Sequence, residues 1–352
     1  MRIFQRESNI SYKELSVFCR MMSVVIISQL PLTEGLKLVS EQMANKNLSA
    51  AVNEIYKLME TGRTFSQAIG AYPRIFGSYA VNMIEIGEAS GTLDEILGRL
   101  AVYFDKEDNL RRKLKSALSY PLALTVLMAA IIALLIVKIL PMFEATLDSM
   151  GGELPDAAFN IFMVSGAIRR YAPAIIGVIA AAVILAALYF RTKKGRMVKD
   201  RLKITAPGFR YVNSRIITSR YARGLSILLR SGVQLLNAMS EIVKLINNAY
   251  LENRFYEAVD RVREGEGIDS VLNDLRIFPP LFVRLVKIGH SAGHLDEMLE
   301  RSAVIFDEEV DYAIDQVTQT VEPALIIVLS VVVGVILLSV MLPMIGIMNA
   351  IG

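Results

Sequence analysis

Two kinds of apolar pattern divide the chain. In much of it, apolar residues recur every three or four positions, as in Phe18, Met21, Met22, Val25 and Ile26, and again in Leu93, Ile96, Leu97, Leu100 and Phe104. This spacing predicts amphipathic helices with one buried stripe, rather than the period-two alternation of half-buried strands. Elsewhere the apolar run is unbroken. Leu122 to Leu140, Ala172 to Phe190 and Ala324 to Met348 approach the ~20 residues a helix needs to cross a hydrocarbon core. Lys138 puts the one charge inside them, near an end, where its long stem reaches the headgroups.

The polar stretches carry helix punctuation. Ser11 with Glu14, and Thr92 with Glu95, fit a capping box, in which a hydroxyl and a carboxylate three residues on satisfy backbone donors reciprocally. Gly91 suits the left-handed end of a preceding helix. From Leu93 to Pro121 the only glycine is Gly98, so one helix is predicted to run from the polar region nearly into the first apolar stretch. Leu295 to Glu322 repeats the arrangement.

That repetition extends through the chain. Gly87, Gly91, Leu93, Asp94 and Glu95 recur as Gly289, Gly293, Leu295, Asp296 and Glu297 at an offset of 202, while Glu88 is replaced by His290 and Thr92 by His294. The same offset relates Phe104-Asp105 to Phe306-Asp307, Pro121 to Pro323, and Leu140-Pro141-Met142 to Leu342-Pro343-Met344. Upstream, Ser28 to Leu32 matches Ser231 to Leu235 at 203. Each half is a helical domain of about 100 residues followed by an apolar stretch. The middle stretch is an unmatched connector.

Composition now changes the picture. With 53% hydrophobic and 21% charged residues and a mean hydropathy of +0.44, the chain is too apolar for an ordinary soluble protein. Its 38 basic and 35 acidic residues must lie in separate water-facing regions, and a net charge of +3 predicts no direct nucleic-acid partner. A single cysteine, Cys19, forms no intramolecular disulfide, and two histidines leave few transition-metal ligands.

Lys and Arg near span ends mark the cytoplasmic side. Arg111, Arg112, Lys113 and Lys115 precede the first apolar stretch, and a basic run from Arg191 to Lys203, opposed by Asp200, follows the second. The loop between them is net negative. Met1 to Glu14 lacks the apolar core and small-residue cleavage site of a secretory signal. The expected protein is therefore all-α and multi-pass, with a cytoplasmic N-terminus and an extracytoplasmic C-terminus. Two homologous cytoplasmic helical-bundle domains, 1–118 and 191–320, combine with three transmembrane helices, 119–142, 171–190 and 321–348. An extracytoplasmic loop, 143–170, and a tail, 349–352, complete the expected order. The basic run is also placed to meet membrane lipid headgroups.

The paired Gly-x-x-x-Gly-x-Leu-Asp-Glu motif, Leu30-Pro31-Leu32, Glu322-Pro323 and the terminal Leu342-Pro343-Met344-Ile345 run occur in order over nearly the whole chain. In these features the chain resembles the type II secretion system F / type IV pilus inner-membrane platform protein family. The resemblance implies a protein of the cytoplasmic (inner) membrane whose helical bundles contact a cytoplasmic hexameric assembly ATPase. It implies further that the membrane part engages pilin or pseudopilin subunits, beside other machine components, in a homo-oligomer. The implied role is a non-enzymatic platform of a type IV pilus, a competence pseudopilus or a type II secretion machine, with the choice among the three left open. The extension before the first domain is shorter here than is usual in the family.

Candidate sites follow from chemistry. Pro121 and Pro323 lack the N–H that a helix ladder needs and are the obvious bending points between bundle and span. Glu322, where the other half has Tyr120, is a candidate pilin contact, because an ionisable group at membrane depth is costly unless paired or wet. Basic Arg111, Arg112 and Lys113 contrast with acidic Asp307, Glu308 and Glu309 in the other half, a candidate electrostatic partner face able to join the halves, join protomers or dock a partner. No catalytic, cofactor or metal site is expected. His290 and His294 have a ligand-like spacing, but Gly293 between them argues for a turn. No Gly-x-x-x-x-Gly-Lys-Ser/Thr loop appears, so energy must come from a partner. The rival readings are a small membrane transporter, for which the spans lack charged or broken midplane helices, and a membrane-anchored signalling adaptor.

Overall fold

The structure is a computed structural model that describes residues 10–139, 141–142, 177–178, 181–182, 184–190, 192–206, 209–246 and 248–351. The loop expected over 143–170 lies outside the described residues, as does much of the middle apolar stretch. Among the described residues every regular element is helical and no strand occurs.

The first half contains α1 (Tyr12–Ile27), α2 (Leu32–Gln42), α3 (Lys46–Glu60), α4 (Phe65–Gly70), α5 (Pro73–Ser90) and α6 (Leu93–Leu134), which ends in a π-helical turn, Leu135–Ile139, carrying Lys138. The second contains α7 (Lys193–Thr205), α8 (Phe209–Arg230), α9 (Leu235–Ile246), α10 (Ala249–Arg263), α11 (Ile268–Asp274), α12 (Pro280–Ala292) and α13 (Leu295–Ile351). Omitting α7, the two halves have the same order, and the packing repeats with it: α1 on α2, α2 on α3, α3 on α4 and α4 on α5 correspond to α8 on α9 through α11 on α12.

Local chemistry sets the helix boundaries. Ser11 and Glu14 form the capping box expected at α1, and Thr64 with Gln67 forms a second at α4. Asn45 and Asn248 cap α3 and α10 through their side-chain oxygens. Pro73 and Pro280 occupy the first turns of α5 and α12, where a missing N–H leaves no intrahelical bond unmade. The stripes predicted from periodicity are buried: Phe18, Met22, Leu97, Leu100 and Phe104 are at most 2% exposed.

The chain divides into two compact units, Met1–Lys113 with Met197–Ala313, and Leu114–Arg196 with Ile314–Gly352. The first holds both bundles. One bundle is centred on Phe18, Met22, Phe65 and Met83; the other is an aromatic cluster of Tyr221, Phe255, Phe278, Phe282 and Phe306, with ring centroids 4.9 Å apart for Phe278 and Phe282. In the second unit lie the apolar parts of α6 and α13. These two helices are long and apolar enough to cross a membrane, and side chains such as Leu122, Val126, Ile327 and Val331 are exposed. In the middle apolar stretch, described residues 177–178, 181–182 and 184–189 are helical, and Val178, Ile184 and Leu185 are exposed.

Candidate functional site

The duplicated motif forms a tight corner between two helices, built alike in both halves. Gly91 and Gly293 each end a helix with φ of 74°, in the left-handed region that glycine enters without steric cost. The next amide donates back to the helix, Thr92 N to Gly87 O and His294 N to Gly289 O, both at 2.9 Å. The first glycine has a different task. A Cβ on Gly87 would lie 2.9 Å from Ile96 Cγ1 and 3.2 Å from Leu93 Cα; on Gly289 it would lie 2.7 Å from Met298 Cβ and 3.1 Å from Leu295 Cα. Glycine therefore lets the two helices of each corner touch.

Leu93 and Leu295 are buried beneath the corner, and Asp94-Glu95 and Asp296-Glu297 occupy the first turns of α6 and α13, where negative charge complements the helix N-terminus. A serine ties each corner to its bundle: Ser23 Oγ donates to Asp94 O at 2.8 Å, and Ser226 Oγ donates to Asp296 O at 2.9 Å. This serine pair, 203 residues apart, was missed in the sequence, although it keeps the repeat's offset.

Glu88 breaks the likeness. Its carboxylate accepts from Phe65 N at 2.8 Å, Ser66 N at 3.0 Å and Ser66 Oγ at 2.6 Å, closing the start of α4. Partial burial raises its pKa, but the Ser66 hydroxyl and the Ser66 and Phe65 amides outweigh that and hold it below the usual range. His290, its counterpart, is exposed, as is His294 beyond the Gly293 turn. Among the described residues no three His, Cys, Asp or Glu side chains are grouped to hold a metal.

Within the first unit, charged groups join the bundles. Glu107, 5% exposed, accepts from Arg220 Nε and Nη2 at 2.6 and 2.5 Å. Burial opposes the Arg220 charge, yet Glu107 outweighs it and raises the guanidinium pKa. Asp307 accepts from Ser219 Oγ at 2.6 Å and Arg223 Nη2 at 2.5 Å, and lies 3.0 Å from Lys106 Nζ across the junction. Burial raises its pKa, but Arg223, Ser219 and Lys106 together hold it low. Lys113 pairs with Asp311, and Asn82 with Glu241. All of these but Asn82 and Glu241 border a cleft of about 340 Å³.

Of the proposed electrostatic face, Lys113 and Asp307 thus have partners inside the chain, and Glu309 lies 3.7 Å from Arg215. Arg112 bonds Asp108 and Asn109 of its own helix. Arg111 stands 4.2 Å above the Tyr12 ring, and Glu308 is exposed. The junction residues Glu107 and Arg220 were missed because nothing in the local sequence distinguishes a clasped glutamate from a solvated one.

In the second unit, Tyr120 Oη donates to Glu322 Oε1 at 2.9 Å. These two positions are equivalent in the repeat, so the pair matches α6 to α13 at the start of the apolar segments. Pro121 and Pro323 both lie inside continuous helix.

Comparison with known proteins gives a consistent result. The family described as type II secretion system (T2SS), protein F, matches over residues 18–141 and 221–343. The chain is 32% identical over 339 residues to the type IV pilus assembly protein PilC of Myxococcus xanthus, covering 96% of this chain and 81% of the relative. It is 32% identical over 345 residues to PilC of Thermus thermophilus, covering 98% and 85%. With the type II secretion system protein F of Aeromonas hydrophila it shares 28% identity over 347 residues, covering 99% and 89%.

Proposed function

The chain belongs to the type II secretion system protein F family, and from that premise we propose that it is the inner-membrane platform on which a type IV pilus, a competence pseudopilus or a type II secretion machine assembles its filament. The family is one of structural machine components, not enzymes. Work must therefore enter from a partner, in this reading a cytoplasmic hexameric ATPase that displaces the bundles while pilin or pseudopilin subunits are lifted from the bilayer beside the membrane helices.

One observation carries the reading: the last helix of each bundle, α6 and α13, continues without a break into an apolar segment long enough to span a membrane. A force applied to a bundle has a continuous hydrogen-bonded rod to travel along. Pro121 and Pro323 each remove one rung of that ladder and are the places where such a rod would flex. Glu322, already bonded to Tyr120, would offer its remaining lone pairs to a cationic group on a pilin. Three crossings are proposed, the middle one over 171–190, with both bundles cytoplasmic and the C-terminus outside.

The test is deletion of the gene, scored together for surface filaments, protein secretion and DNA uptake, with detergent-extracted tagged protein assayed for a co-purifying hexameric ATPase. Loss of one of these activities with the ATPase bound is expected and identifies the machine. Normal phenotypes and no bound ATPase overturn the reading.

A further inference from the structure

The two bundles are related by duplication, yet they meet through different faces. The second bundle contributes α8 and α9, through Arg220 and Glu241, together with the Asp307 and Asp311 side of α13; the first contributes α5 and α6, through Asn82, Lys106, Glu107 and Lys113. An arrangement of like parts joined by unlike faces leaves one of each face outside that junction, on the first bundle α1 with α2 and on the second α12 with the side of α13 that carries Glu308, Glu309 and Tyr312 rather than Asp307 and Asp311. Both are open. On α8 the junction positions Ile216 and Ile227 are 8% and 7% exposed, whereas Val24, the counterpart of Ile227 on α1, is 57% exposed. Lys13, Val17 and Arg20, counterparts of Ile216, Arg220 and Arg223, are exposed along the same helix face. Leu38, at the position of Glu241, is 48% exposed. On the other side, Glu107 is buried, but its counterpart Glu309 has a 40% exposed side chain; Tyr312, the counterpart of Leu110, is 61% exposed, and Glu308, the counterpart of Lys106, is exposed.

We propose that the α1–α2 face of one chain docks on the α12–α13 face of a second copy, repeating between chains the junction that joins the bundles within one. The occupant is a second copy because each open face is the repeat counterpart of a face already filled, and because the two are complementary. Lys13 and Arg20 lie among Val17, Val24 and Leu38 on one; Glu308 and Glu309 lie beside Tyr312 on the other. Lys13 already pairs with Asp105 of its own bundle at 2.8 Å, which leaves Arg20 as the principal basic contact for Glu308. In the filled junction the corresponding Arg223 and Lys106 share Asp307; between chains the two positions carry opposite charge and meet directly. A heterologous contact of this kind builds a ring if its rotation closes, and rim charges set its register and association rate.

The assignment does not depend on which machine the protein serves, and its test reads contact rather than filaments. In full-length protein carrying Cys19→Ala, differently tagged Val17→Cys and Glu309→Cys chains are co-expressed and treated in native membranes with a short bismaleimide, whose spacer covers the reach of an arginine–glutamate pair that a disulfide would not. A crosslink joining both tags is expected, since these positions correspond to Arg220 and Glu107. Glu107→Cys with Arg220→Cys in one chain is the control and crosslinks within the chain. Absence of the mixed product while the control crosslinks, or an equal yield of Val17→Cys joined to itself, overturns the proposal. A second readout is independent of crosslinking geometry. Arg20→Glu lowers the oligomer mass of purified protein at least twofold, and adding Glu308→Arg restores it; an unchanged mass for Arg20→Glu overturns the proposal equally.

Discussion

The first and second bundles share one architecture and differ in what their charges do. Both turn the same corner with the same two glycines, and both hang that corner from a serine, Ser23 or Ser226, bonded to an aspartate carbonyl. Then they part. Glu88 closes the start of α4, while exposed His290 leaves α11 without a side-chain cap at Gly267. Asp200 on the unmatched α7 accepts from Ala249 N at 3.1 Å, an attachment specific to the second half. Phe104 and Phe306 are both buried; Glu107 is clasped, and Glu309 is half exposed. The glycines and serines that duplication preserved are those that fix backbone against backbone. Among the residues that diverged, Lys106 and Arg220 find their partners in the other bundle, and the glutamate kept at 107 and 309 is buried only where such a partner clasps it.

The largest effect is expected where that divergence is most buried. Removing Glu107 leaves Arg220 partly buried without its counter-charge, so Glu107→Ala should cost about 3 kcal/mol, the range for breaking a buried pair by deleting one partner. Replacing both, as Glu107→Leu with Arg220→Met, should recover most of that loss, because an apolar pair has no desolvation penalty to offset. Glu309→Ala, at the equivalent position, should change stability by under about 0.5 kcal/mol. Denaturant unfolding of the full chain in detergent checks all three. A Glu309→Ala loss as large as that of Glu107→Ala would show that the two positions are not used differently.

Much of this fold was legible in the sequence, for a physical reason. Helix stripes, caps and corners are local, so Phe18-Met22, Ser11-Glu14 and Gly91 announce themselves within a few residues. The duplication then marked which local features recur. What stayed hidden was the pairing of distant surfaces. Glu107 and Arg220 are 113 residues apart, and no periodicity states which charged face of an amphipathic helix meets water and which meets another bundle. Lys113 and Asp307 were singled out by charge contrast alone; their partners, Asp311 and Lys106 with Arg223, could be named only once the bundles were docked. The Tyr120–Glu322 bond joins two positions the repeat had already aligned, but alignment does not imply contact.

A smaller effect is expected at the shared corners. Gly87→Ala places a methyl group against the Leu93 backbone and the Ile96 side chain, and Gly289→Ala against Leu295 and Met298. Each should cost about 1–3 kcal/mol, as overpacking of a tight contact does. Gly289→Ala should be the costlier, since its Cβ meets the base of a side chain, Met298 Cβ at 2.7 Å, rather than a more distal Ile96 carbon at 2.9 Å. If both variants melt with the native protein, the glycines are not retained for packing.

Glu88 gives the comparison a pH axis. Its folded pKa is below its unfolded value, so the unfolded chain takes up protons first on acidification and stability falls. The contribution is fully present above the unfolded Glu range, near pH ~4.3, and is lost as pH drops through the lower folded value. Glu88→Gln should cost about 1 kcal/mol at pH 7, in line with a lost cap, and should flatten the acid limb of the unfolding profile. His290→Gln should do neither. An unchanged acid slope in Glu88→Gln would mean that the carboxylate is not ionised against Ser66 and Phe65.

The smallest effect tests whether every repeated charge is structural. Glu95 accepts from Arg99 and Glu297 from Arg301, the same i,i+4 pair at the start of α6 and of α13, at 2.6 and 2.9 Å. Repetition makes the two pairs look as consequential as the glycines, but exposure argues otherwise. The Arg301 side chain is 66% exposed and Glu297 45%, so water and salt screen their attraction, and ordering two flexible side chains opposes it. Arg301→Ala should therefore cost less than about 0.5 kcal/mol. Arg99, at 22% exposure, lies closer against its bundle, and Arg99→Ala should cost slightly more through lost packing of its stem. Raising the salt concentration should erase the Arg301 effect and leave part of the Arg99 effect in place. A salt-independent loss above 1 kcal/mol for Arg301→Ala would place that pair with the corner glycines rather than with the diverged surface.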